Sequence, residues 1–200
     1  MTADAVTSVG ARKPRSVRRA EILDAAAVEF AETGLAGTRL EAIAARAGLS
    51  HPRVVQVFGS KRALFLAVVD VTFDRIAAAF VAAAKRSEAS DHAIPLGILG
   101  DAYRRLLQRD RTIALMMLHS YAAAGDDVVR EAVARRHLAL QREVAAMTGA
   151  DARGVQTFFA TGLVVTVSTA LALPSKRTDA AWGAWLLARV CAVNDATESR

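Results

Sequence analysis

One cysteine in 200 residues, Cys191, leaves nothing for an internal disulfide and no Cys cluster for a metal site. Prolines number four and glycines twelve, against a hydrophobic content of 53% that is heavy in alanine. Such a chain is expected to be helical throughout rather than stranded or disordered. No apolar run reaches the roughly 20 residues that a membrane span needs. The longest, Leu163 to Leu173, is interrupted by Thr166, Ser168 and Thr169 and ends at Pro174. The N-terminal stretch MTADAVTSVGARKPRSVRR has no apolar core after its charges, so residues 1–15 read as a disordered basic arm rather than a targeting segment. A reducing cytoplasm is the expected setting, with no membrane partner.

Chemistry-bearing patterns are equally scarce. No serine stands in a GxSxG context, no Gly-rich phosphate loop occurs, and no nucleophile is paired with a base. His119 and His137 lack a ligating residue four positions away in their own helices, so no metal, no cofactor and no catalytic residue is expected.

What the chain does have is an uneven charge. Residues 1–62 hold ten Lys and Arg against six Asp and Glu, so most of the formal +6 sits at the front. Arg12, Lys13, Arg15, Arg18 and Arg19 fall within eight residues that contain no acid, a composition suited to polyanions.

Helices can be placed from periodicity and punctuation. From Ser16, apolar Ala20, Leu23, Ala27 and Phe30 recur at helical spacing until Gly34. Thr38 stands three residues before Glu41, a capping-box spacing, and Leu40, Ile43, Ala44 and Ala47 follow it to Gly48. Ser50 then suits the cap of a third helix, where Pro52 is tolerated in the first turn and Val54 and Phe58 form an i, i+4 anchor. Gly59 stops it, Ser60 caps the next helix, and that helix runs from Lys61 to about Lys85.

Two short helices joined at Ala47–Gly48–Leu49–Ser50 describe a helix-turn-helix. Its second member, anchored by Val54 and Phe58, leaves Ser50, His51, Arg53 and Gln56 on the opposite side, all able to bond phosphates or base edges. Over residues 16–69 the segments RRAEILDAAAVEFAETG, TRLEAIA, GLS, VVQVF and FGSKRALF resemble the N-terminal DNA-binding domain of the tetracycline-repressor (TetR) family of transcriptional regulators. The sequence departs from the family pattern at Val55 and Val57, where aromatic or histidine side chains are usual. It departs also at Arg39, for a second threonine, and at Arg62, for an acid.

The resemblance implies an all-α protein of about nine helices: a helix-turn-helix domain over 16–60 and a helical ligand-binding and dimerisation domain over 61–200. It implies a homodimer on a palindromic double-stranded operator, acting as a ligand-responsive repressor. The DNA contacts expected are Arg18, Arg19, Thr38, Arg39, Ser50, His51, Pro52, Arg53, Gln56 and Lys61. An alternative is a helical small-molecule-binding protein or enzyme without specific DNA binding.

Beyond Ser90, breaks near Pro95, Gly125, Gly149 and Pro174 suggest helices over 94–108, 111–123, 126–147, 152–173 and 178–194, with Asp126 and Asp151 at two of the starts. Tyr103, Met116, Met117, His119, Tyr121, His137 and Phe158 are candidate linings for a hydrophobic effector, since Met and aromatic side chains can shape an apolar cavity with a few polar contacts. The helix VQTFFATGLVVTVSTALAL is apolar on nearly every face and must be covered all round. With the helix after it, it suits a dimer interface, expected at Phe159, Gly162, Val165, Thr166, Thr169, Trp182, Trp185 and Leu186.

Overall fold

The first helix, α1 (Arg15–Gly37), buries Ile22, Leu23, Ala26 and Phe30 along one stripe and is interrupted at Gly34, whose φ of 69° and ψ of −178° are open only to glycine. The predicted stop is therefore a break, after which the chain takes one further turn to Gly37. The computed structural model describes residues 14–87 and 94–173. The expected arm up to residue 13 and the expected helix 178–194, with Trp182, Trp185 and Leu186, lie outside the described residues.

The second helix, α2 (Leu40–Arg46), starts differently from the capping-box expectation. Arg39 occupies the cap position without a side-chain bond. Thr38 is buried, and its hydroxyl lies 2.6 Å from the Gly34 carbonyl and 2.7 Å from the Thr33 hydroxyl. It closes the end of α1 instead of opening α2. Gly48, at φ 64°, then makes the tight turn, with the Leu49 amide donating to the Ala44 carbonyl at 2.9 Å. Helix α3 (His51–Phe58) follows and stops at Gly59, φ 80°. The Ser60 hydroxyl accepts from the Ala63 amide and caps α4 (Lys61–Arg86).

The remaining described helices are α5 (Leu96–Arg109), α6 (Arg111–Ala122), α7 (Asp127–Thr148) and α8 (Ala152–Ala170), with one 3-10 turn at Ala123–Gly125. Asp110, Asp126 and Asp151 each cap the following helix through a carboxylate. All described elements are helical, and none of the described helices is long and apolar enough to cross a membrane.

One apolar cluster runs from Ile22 to Ala170. Helix α4 carries it through the molecule. Its N-terminal turns bury Leu64 and Phe65 near Phe30 of α1, while Ile76 and Phe80 enter the bundle of α5, α7 and α8. Helix α1 in turn packs broadly on α6.

Four ion pairs hold α4 to the bundle: Arg62 with Asp126 at 3.0 Å, Arg75 with Asp110 at 2.7 Å, and Arg136 with both Asp74 and Asp70. The hydrogen bond from Arg62, joined by the Val129 and Val128 amides, holds the Asp126 carboxyl below the usual carboxylate range. Burial opposes ionisation of Asp110, but bonds from Arg75 and Thr112 outweigh it and lower that carboxyl too. Depressed folded-state values mean that these groups stabilise the fold at neutral pH and lose that contribution as pH falls through the carboxylate range. Asp110→Asn together with Asp126→Asn should therefore flatten the acid limb of a stability-versus-pH curve while leaving its neutral-to-basic part parallel to that of the parent.

Candidate functional site

Two regions carry polar side chains that the core does not consume. The first is α3. Val54 is 1% exposed and pins the helix to the core, with Val57 and Phe58 packed beside it. Positions 55 and 57 are both half-buried, and Val57 is the one that packs against the core. On the outer side, the Ser50 hydroxyl makes no cap bond even though Ser50 holds the cap position. His51 stands 3.8 Å from Glu41, Pro52 occupies the first turn, and Arg53 donates to Gln56 Oε1 at 2.5 Å. The Arg53–Gln56 pair presents guanidinium and amide together at the surface.

The neighbouring expected contacts are placed less uniformly. Arg39 points to solvent, its side chain 80% exposed. Arg18 is half-buried, and Arg19 sets its guanidinium 5.1 Å from the centre of the Phe58 ring, bracing α1 against the end of α3. Lys61 donates from Nζ to the carbonyls of Thr38 and Ala36 at 3.0 and 3.2 Å, tying the first turn of α4 to the α1–α2 junction. Arg62 is paired with Asp126 and so is not a spare positive charge. Replacing Lys61 with methionine should thus cost about 1 kcal/mol of stability, measured by urea denaturation, in addition to any effect on DNA.

The second region is a cavity of about 840 Å³ between α4, α5, α6, α7 and α8. Tyr103, Met117, Tyr121, His137 and Phe158 all line it. Met116 and His119 do not. Met116 is 1% exposed inside the core, and the His119 ring is packed so closely on Gly34 that a Cβ there would lie 2.7 Å from Nδ1. Phe159, Gly162 and Thr166, expected at a dimer interface, line this cavity within the single chain, and Val165 packs against the core. Phe80, Gln141 and Arg142 are linings that sequence reasoning missed. A signal existed: positions 137, 138, 141, 142 and 145 form one face of α7, and it is the face that carries polar groups toward the space.

The wall chemistry is divided. Phe80, Phe158, Phe159 and His137 form a chain of edge-on ring contacts 5.2–5.8 Å apart. Within it, Tyr103 and Thr166 bond at 2.7 Å, and Thr166 donates onward to the Gly162 carbonyl, so Tyr103 is the donor to Thr166. Burial pushes the Tyr103 phenol up to about 12. Burial also raises the Tyr121 phenol and lowers His137, keeping both neutral near pH 7.

Outward from the cavity, α8 turns a different stripe to solvent. Leu163, Val167 and Leu171 are 48%, 38% and 62% exposed, one helical face offset from the expected interface positions. Among the described residues no cluster of three His, Cys, Asp or Glu is placed to hold a metal.

These features can be set beside known proteins. Residues 22–68 match the family model of bacterial regulatory proteins of the tetR family. The HTH-type transcriptional regulator RutR of Escherichia coli (strain K12) is 41% identical over 75 residues, covering 37% of this chain and 35% of that protein. The chain thus spans about a third of the length of the curated relatives it matches. Two solved structures resemble nearly all of it in fold. A TetR-family regulator from Mesorhizobium loti has TM-score 0.63 and 21% identity, with 90% of this chain and 96% of that one covered. FadR from Bacillus subtilis, in complex with stearoyl-CoA, has TM-score 0.66 and 17% identity, with 88% and 95% covered. Residues 22–68 are thus similar to the N-terminal domain of tetR-family bacterial regulatory proteins, and the fold is like that of the solved TetR-type regulators.

Proposed function

We propose that the protein is a transcriptional regulator that binds a palindromic operator as a homodimer and responds to a small apolar effector. The observation that carries this reading is α3: a short helix held by buried Val54, with Ser50, His51, Arg53 and Gln56 on its outer side, within the stretch that matches the tetR family. A helix so exposed on one face suits insertion in a major groove, with Arg53 positioned for guanine and its neighbours for adjacent bases and phosphates. Two-fold pairing would set two copies of α3 about 34 Å apart, one turn of DNA. The exposed stripe Leu163, Val167 and Leu171 favours α8 as part of the pairing surface. Regulation by an effector rests on the cavity, whose aromatic chain and polar α7 wall suit a drug-sized ligand.

The test is fluorescence anisotropy on DNA flanking the gene, with scrambled DNA as competitor and two salt concentrations. Two chains per palindrome with competitor-resistant binding are expected. Arg53→Ala should relax discrimination at one base position in each half-site, by about 1–3 kcal/mol. Unchanged sequence preference in that variant would overturn the assignment of α3 as the reading helix.

A further inference from the structure

The α7 wall of the cavity offers more donors than acceptors. Gln141 presents its amide nitrogen to His137 Nε2 at 3.0 Å, so this ring nitrogen accepts and the imidazole proton sits on Nδ1. Nδ1 is 3.1 Å from the Tyr121 oxygen, and that phenol is therefore an acceptor toward His137. Its own proton is left for a third partner. One turn along the same face, Arg142 lines the cavity and is exposed, as a guanidinium at the mouth should be. Arg142 is also the one formally charged side chain among the described residues that line the space. On the α4 and α8 side, Phe80, Val155 and Phe158 offer no polar group and Thr166 is already bonded to Tyr103 and the Gly162 carbonyl, which leaves the uncharged, exposed Gln156.

Resting on the effector reading above, we infer that the cavity selects an acidic amphiphile: an apolar body against the α4 and α8 side, with a single anionic head accepting from Arg142 and Tyr121. A cationic amphiphile of the same shape would meet Arg142 with like charge and find donors where it needs acceptors. A neutral one would fit but lose the charge-assisted bond.

Three probes with one common tail separate these cases: decanoate, decan-1-ol and decyltrimethylammonium, each titrated calorimetrically into the full chain below its micelle concentration. Decanoate should bind one per chain, about tenfold more tightly than the ammonium. Arg142→Gln should weaken decanoate about fivefold and leave decan-1-ol unchanged. Gly162→Leu, which sets a helix-favouring side chain into the cavity, should abolish binding of decanoate and decan-1-ol alike. The inference is overturned if the ammonium matches decanoate, if decanoate does not bind, or if Gly162→Leu leaves its binding intact. The wider reading is tested apart, by anisotropy with decanoate added to the DNA complex. Decanoate that binds with the expected preference yet leaves DNA bound would uphold the ligand class and remove its role as effector.

Discussion

Gly34→Ala should lower stability by about 3 kcal/mol, read as a fall in Tm of roughly 6–12 °C. Two independent causes converge on this one atom. The backbone at φ 69°, ψ −178° strains any residue with a Cβ, worth about 1–3 kcal/mol. The added Cβ would also lie 2.7 Å from His119 Nδ1, closer than real contacts allow, so the ring on α6 must move. Because the α1–α6 contact joins the helix-turn-helix to the bundle, the displacement should also alter DNA affinity. Melting the single variants Gly34→Ala and His119→Ala and their double checks the account. The ring is the obstacle only if the double variant loses less than the two singles combined, the remainder being backbone strain. Strict additivity would show that His119 has room to retreat and that φ alone sets the loss.

Phe65→Ala should be costlier still, at about 3–5 kcal/mol by urea denaturation. Phe65 is fully buried and meets Phe30 edge-on with ring centres 5.0 Å apart, one turn beyond Lys61 on α4. Removing it opens a void where α1 and α4 meet, and close-packed interiors collapse only partly around such voids. Against a typical total of about 5–15 kcal/mol, the loss takes much of the margin. Phe65→Leu, which keeps most of the volume, should retain the fold and DNA binding. Equal losses in both variants would mean that the ring pair itself, rather than the filled volume, holds the junction.

Much of this was legible in the residues. Local signals act over three or four positions, so the stops at Gly48, Gly59 and Gly149 and the caps Ser60, Asp126 and Asp151 could be read directly. The side chains of Ser50, His51, Arg53 and Gln56 were equally readable, because Val54 and Phe58 fix which side of so short a helix faces inward. Thr38 defeated the same logic. Its capping-box spacing to Glu41 was present, but the Gly34 carbonyl offered a nearer acceptor once α1 had broken there.

Register was the larger gap. Periodicity tells which residues share a face, and α8 is apolar nearly all round, so nothing local says which face turns inward. Phe159, Gly162 and Thr166 went to the cavity, and Leu163, Val167 and Leu171 to solvent. His119 and His137 likewise look alike in the chain, yet one abuts Gly34 and the other stands between Tyr121 and Gln141. The sequence by itself determined most of the described helices, several of their ends and the exposed face of α3, because those follow from contacts between near neighbours in the chain. The tertiary structure alone decided which side chains surround the cavity and how Lys61 and Arg62 are spent, since their partners lie more than twenty residues away along the chain.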